Sequence, residues 1–213
     1  MKERPILFSG PMVHAIVAGT KTQTRRIVTV PWKGSRRAHP YEPYYVEEDG
    51  RLLVDTDAME GPGSGRGYLE YSECTACPYG VPGDRLWVKE TWQLLTGNGH
   101  RIVYRADRDP PLTCGGTEPV QNMTWRPSIF MRRQDSRLTL EITGVRVERL
   151  QAIGEEDARA EGCGLASMPL AYALGGPQSP KAMFSKLWDS ISGDRAPWSS
   201  NPWVWVVAFR RVQ

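Results

Sequence analysis

The segment RLTLEITGVRVERL, residues 137–150, constrains the fold of this chain more than any other. Leu138, Leu140 and Ile142 occupy even positions between polar neighbours, and Val145 and Val147 continue on odd ones. A period of two marks a strand with one buried face. The phase changes at Gly144. A β-bulge there would let one bent strand keep the same core face, a device used in small barrels.

The other elements are read against that strand. The segment NPWVWVVAFRRV is apolar on both alternating faces as far as Phe209, which predicts a central strand. Residues 11–18, PMVHAIVA, predict a short helix: Pro11 suits its first turn, Met12, Val13, Ile16 and Val17 form a stripe, and Gly19 ends it. β-branched residues favour a strand from Thr22 to Val30. Pro82-Gly83 marks a turn before a strand from Leu86 to Glu90, and Arg101 to Arg105 reads as its hairpin partner. Asp84 shapes that turn. EEDARAEG, 155–162, reads as a short helix closed by Gly162. SPKAMFSKLWDSI, 179–191, reads as a stronger one, with Ser179 as cap, Pro180 in first position, and Phe184, Leu187, Trp188 and Ile191 at helical spacing. Residues 33–80, with one hairpin around Tyr45 to Val54, and residues 107–127 are long Pro/Gly-rich insertions. The order predicts a single α+β domain over 1–213, a partly closed antiparallel β-barrel with short rim helices and two long inserted loops.

Composition narrows the function classes. No run approaches a membrane span and MKERPILFSG is too polar for a signal peptide, so a cytoplasmic protein with reduced thiols is expected. A net charge of +3 does not by itself select nucleic acid as partner. The pairs Arg25-Arg26, Arg36-Arg37, Arg132-Arg133 and Arg210-Arg211 would form an RNA or DNA groove if the fold gathered them on one face; scattered, they are solubility charges. Trp32, Trp92 and Trp125 lie near loops, where they suit base stacking, whereas Trp188, Trp203 and Trp205 suit a core. Cys74 and Cys77 form a CxxC, half of a zinc site that Cys114, His39 or His100 would have to complete. With no second CxxC or HxxxH, ordinary thiols are the favoured reading and no cofactor is expected. Cys163 reads as packed rather than reactive.

Within the stretch GTKTQTRRIV, Gly19 to Val28, the run Lys21 to Arg26 crowds two threonines and three cations, followed by the apolar pair Ile27 and Val28. Taken alone it is an exposed strand edge. Together with PGDRLWVKE, LEITGVRVERLQAI, EEDARAEG and WVWVVAFRRV, in this order and over about half of the chain, it resembles the ASCH domain family of PUA-like barrels. GxKTxTxR is the specific part; the other segments are weaker signals alone. The whole is most similar to the longer ASCH proteins of bacteriophages and prophages, which would place it in a bacterial host cell.

The resemblance implies a cleft between barrel and first helix and an association with RNA or nucleosides. It also implies an activity found in small bacterial members, metal-independent hydrolysis of N4-acetylcytidine. Carried over by position, Lys21 is the base, Thr24 the nucleophile and Glu161 the proton shuttle, while Arg26 matches the arginine that follows. The side chains suit these roles. A threonine hydroxyl needs a base beside it, a lysine desolvated among cations can be that base, and a held glutamate can protonate the leaving amine. Arg25 and Arg26 would supply the cationic surroundings and, with Thr22, contact the substrate, and Arg26 or a backbone N–H would stabilise the oxyanion. Glu90 reads either as a cleft residue paired with Lys21 or Arg26, or as a strand-end charge. One condition follows from geometry. On an ideal strand Lys21 and Thr24 face opposite sides, so Lys21 must sit in the turn after Gly19 with the strand starting later.

Two departures stand against the pattern. The chain carries two long loops that compact members lack, and Gly154 occupies the place of a Ser or Thr helix cap. The expected function is amide hydrolysis on an N4-acylated cytidine or related modified nucleoside. The alternatives are a non-catalytic RNA- or DNA-binding module and a ribonuclease, for which no suitable pair of histidines is present.

Overall fold

In the computed structural model the described residues are 1–29, 44–46, 51–54, 75–97, 99–107, 124–164 and 179–212. In chain order the elements are β1 (Glu3–Leu7), α1 (Gly10–Val17), β2 (Gln23–Ile27), β3 (Tyr44–Val46), β4 (Arg51–Val54), β5 (Thr75–Ala76), β6 (Arg85–Lys89), β7 (Trp92–Gly97), β8 (Gly99–Tyr104), β9 (Thr139–Arg149), α2 (Glu155–Ala160), α3 (Pro180–Ser192) and β10 (Trp203–Arg211). They make a mixed α+β fold centred on a five-stranded sheet of order β1-β6-β9-β10-β2. A small sheet β3-β4-β5 and a hairpin β7-β8 stand beside it.

The bent strand forms as its sequence requires. Ala208 lies opposite Gly144 and Phe209 opposite Ile142, which leaves Thr143 as the extra residue of a bulge in β9. Leu138, Leu140 and Ile142 before the bulge, and Val145 and Val147 after it, pack on the same core. β10 lies between β9 and β2 and serves two cores. Trp205, Val207 and Phe209 belong to a core with α1, β1, β6 and β9, while Val204 and Val206 belong to a second with α2 and α3. An apolar residue is therefore needed on both faces of that strand.

The sheet departs from the expected antiparallel pattern at one edge. β1, which sequence reading missed, pairs in parallel with β6. It is short, and Pro5 interrupts its strand signal, yet at a sheet edge a proline is tolerated. Asp84 fastens it: Oδ1 accepts the Lys2 backbone N–H at 2.6 Å and Oδ2 accepts from Arg4 at 2.7 Å. These bonds, the Lys2 N–H first, hold the Asp84 carboxyl below the ordinary aspartate range. Its role thus extends well past the turn.

β8 is not the partner of β6, as the sequence suggested; it pairs with β7, and β6 sits between β1 and β9. The run LWVKETWQLL hides a break at Glu90 and Thr91, after which the chain leaves the main sheet. The hairpin expected around Tyr45 to Val54 is present as β3-β4, with Tyr45 opposite Leu53. Most of the two insertions lies outside the described residues. α3 is capped by Ser179, whose Oγ accepts the Ala182 N–H at 3.2 Å. No helix among the described residues is long and apolar enough to cross a membrane.

Candidate active site

α1 stops at Val17, and Gly19 adopts φ +74°, a left-handed turn that glycine takes at little cost. β2 begins only at Gln23. Lys21 therefore lies in the turn, which meets the geometric condition set by its spacing from Thr24. Its N–H donates to Ala15 O at 3.0 Å, and the next N–H, of Thr22, donates to Ala160 O at 2.8 Å. Lys21 and Glu161 thus meet as an isolated β-bridge between the end of α1 and the end of α2. Gly162 follows with φ +91°, where a Cβ would come within 3.2 Å of Ala15 Cβ.

The side chains meet as closely as the backbones. Lys21 Nζ donates to Glu161 Oε2 at 2.7 Å and to the Glu161 carbonyl at 2.8 Å, with Lys21 2% and Glu161 4% exposed. Glu161 Oε1 accepts from Arg25 Nη1 at 3.2 Å. Arg25 Nη2 donates to Asp157 Oδ2 at 2.6 Å and Glu148 Oε2 at 3.1 Å. Arg146 closes the outer end, 2.7 Å from Asp157 and also bonded to Glu148. Three cations and three carboxylates alternate from the interior to the surface. Pairing of this kind is what permits such charges to be buried. At Asp157, burial works to raise the carboxyl, but the Arg25 bond and the charges of Arg146 and Arg25 outweigh it and hold it low.

Phe8, just past β1, is a member of the site that sequence reading missed. Its ring centre lies 5.8 Å from Lys21 Nζ and 5.4 Å from the Arg26 guanidinium. Arg26 also donates to Leu7 O at 2.7 Å. The alternation of Ile6 and Phe8 was the available signal, but it is legible only once β1 is assigned.

Thr24, Arg26 and Glu161 border a cleft of about 940 Å³, whose far wall is α3 through Phe184, Leu187 and Trp188. Thr24 is 3% exposed, and its hydroxyl makes no hydrogen bond to a described residue. Lys21 stands behind this wall and reaches it through Glu161. Arg25 buries its guanidinium against carboxylates, 5.9 Å from the centre of the Phe184 ring. Thr22 is exposed, with its backbone tied to Ala160 and Phe209.

Glu90 does not join them. It is 2% exposed, and its oxygens accept from Arg137 at 2.9 and 3.0 Å, not from Lys21 or Arg26. Burial pushes its carboxyl up, partly offset by Arg137. Glu90 lies just past β6 and is taken up by Arg137, which is why the cleft reading fails for it.

The remaining expectations divide. Trp92 is buried at 2% exposure beneath Arg126 and is no surface platform, while Trp188 and Trp205 are core residues and Trp203 packs against the core. Arg132 pairs with Asp135, Arg133 with Glu3 and Arg210 with Glu141, so these guanidiniums are neutralised locally. Cys163 is buried, and burial pushes its thiol up to about 11. Trp32, Arg36, Arg37, His39, Cys74 and Cys114 lie outside the described residues. Among those described, no trio of His, Cys, Asp or Glu is arranged to hold a metal ion. No family model, curated protein or solved structure matches this chain.

Proposed function

We propose that this chain is an ASCH-type, PUA-like hydrolase that cleaves the amide of an N4-acylated cytidine or a closely related modified nucleoside. The observation that carries the reading is the buried Lys21–Glu161 contact of 2.7 Å directly behind the cleft wall that holds Thr24. Moving one proton along it leaves a neutral amine and a carboxylic acid, the two forms the reaction needs. The Thr24 oxygen attacks the acyl carbon while Lys21 takes its proton. The bond from acyl carbon to N4 then breaks, and Glu161 gives its proton to N4, so that cytidine leaves. Lys21 then returns its proton to Glu161 across the same contact and takes one from the attacking water, and Glu161 protonates the Thr24 oxygen as the acid leaves. Arg26, beside Thr24 on the cleft wall, is a side chain able to meet developing negative charge on the acyl oxygen.

A non-catalytic nucleic-acid module is supported by one observation. Arg149 lies 4.3 Å over the Trp203 ring, both at the cleft, a pairing suited to a base or a phosphate. Against it stands the local neutralisation of Arg132, Arg133 and Arg210 by carboxylates.

The test is chromatography of N4-acetylcytidine incubated with the purified protein. Cytidine release is expected from the wild type, with Lys21→Ala and Glu161→Gln each slower by roughly 10²–10⁴-fold. No release from nucleoside or acetylated RNA, together with salt-dependent retention of RNA, would replace the hydrolase with the binding module.

A further inference from the structure

β2 closes one end of the main sheet, and its outer edge is a wall of the cleft. Two bonds fix which of its main-chain groups look outward. Val28 N–H donates to Trp203 O at 2.9 Å and Phe209 N–H to Thr22 O at 2.8 Å. With Thr24 opposite Val207 and Arg26 opposite Trp205, the even-numbered residues bond to β10. Arg25 and Ile27 therefore turn both N–H and C=O away from the sheet, and none of these four groups bonds to a described residue.

Exposure supplies a second observation. Arg25 is 4% exposed, but its side chain is 0% exposed, so the atoms it shows are main chain. Arg25 nonetheless borders the cleft. Main-chain donors and acceptors on largely buried residues are nearly always paired. An open donor beside an open acceptor, one residue from Thr24, is a place where a ligand completes the pairing.

The chemistry of the edge names its partner. An extended residue presents an N–H donor beside a C=O acceptor. An N4-acylated cytosine presents its N3 acceptor beside the one N4–H left, when the acyl group turns toward C5. Uracil reverses donor and acceptor at those two positions. We infer that the outer edge of Arg25 reads the base, its N–H donating to N3 and its C=O accepting from N4–H, which sets the acyl carbon against Thr24. Ile27 offers the same pair one step along, for O2 or the sugar. This rests on the hydrolase reading above, since that reading supplies the cytosine. It assigns the strand two tasks: the Arg25 side chain holds Glu161 from within while its main chain holds substrate from without.

Amide exchange and ¹H–¹⁵N spectra of the full chain, with cytidine and then uridine as probes, test it. In the free protein the Arg25 and Ile27 amides should exchange much faster than those of Thr24 and Arg26. Cytidine should shift the Arg25 amide downfield and slow its exchange at least tenfold, while uridine at the same concentration should do neither. Protection of both amides in the free protein would overturn the inference. So would an equal response to uridine, or turnover of N4-acetylcytidine with no response at Arg25; the last would leave the hydrolase reading standing. A cytidine response without turnover would keep the base site and remove the reaction.

Discussion

Arg25 is the residue whose role the sequence concealed and the fold makes plain. In GTKTQTRR it is one cation among three and reads as a substrate contact. Its partners Glu148, Asp157 and Glu161 lie 123, 132 and 136 positions away, and no local pattern announces them. The positions of Lys21 in the turn and Thr24 on the strand were legible because they depend on spacing within one short motif. Arg25→Met should lower kcat by roughly 10–100-fold with KM little changed, because Glu161 Oε1 loses the donor that fixes it. The same change takes one cation from Glu161, Asp157 and Glu148, which keep Lys21 and Arg146, and is destabilising, so thermal unfolding must accompany the kinetics. An unchanged kcat in a folded Arg25→Met protein would show that Glu161 is positioned by Lys21 alone. Cys163 gives a simpler check. Its buried thiol stays protonated at neutral pH, so iodoacetamide should leave it unmodified until the protein unfolds, as read by peptide mass spectrometry.

At the scale of elements, those with a strong internal period were readable and those defined by distant partners were not. The phase change in β9 revealed its bulge, and the two-faced apolar run of β10 revealed strands on both sides of it. β1 was missed because its parallel partner begins about eighty residues later. The β7-β8 hairpin was misassigned because the break after β6 is made by Glu90 turning toward Arg137, a long-range contact. α2 begins at Gly154 without a side-chain cap, as its sequence indicated, and carries Glu155, Glu156 and Asp157 in its first turn, where the helix dipole favours them. Two substitutions probe the elements that frame the site. Ser179→Ala removes the cap of α3 and should cost about 1 kcal/mol in chemical denaturation. Gly162→Ala meets both a left-handed backbone and Ala15, and should cost more than about 1 kcal/mol while perturbing the Lys21 turn. Equal stability of wild type and Gly162→Ala would mean that α1 and α2 are less tightly joined than their contact indicates.

Over the whole molecule, the sheet brings three distant segments to one place: the α1–β2 turn, the end of α2 and the wall of α3. Its edge strand β1 is anchored through Asp84, and that anchor carries a pH signature. The Asp84 carboxyl is depressed in the folded state, so below about pH 4 the unfolded chain binds the more protons. Its stabilisation is complete above that value and is lost as pH falls through the lower folded one. Asp84→Asn should flatten this part of the stability profile, measured by denaturation midpoints between neutral pH and pH 3. An unaltered slope would place the acid sensitivity elsewhere.

In the proposed reaction Thr24 carries the acyl group between cytidine and water. Rapid acid quench during turnover of N4-acetylcytidine, followed by peptide mass spectrometry, tests it directly. The expected result is one acetyl group on the peptide containing Thr24, absent in Thr24→Ala, whose turnover is lost. Cytidine release that continues in Thr24→Ala, or acetate appearing with Thr24 never acylated, would contradict it.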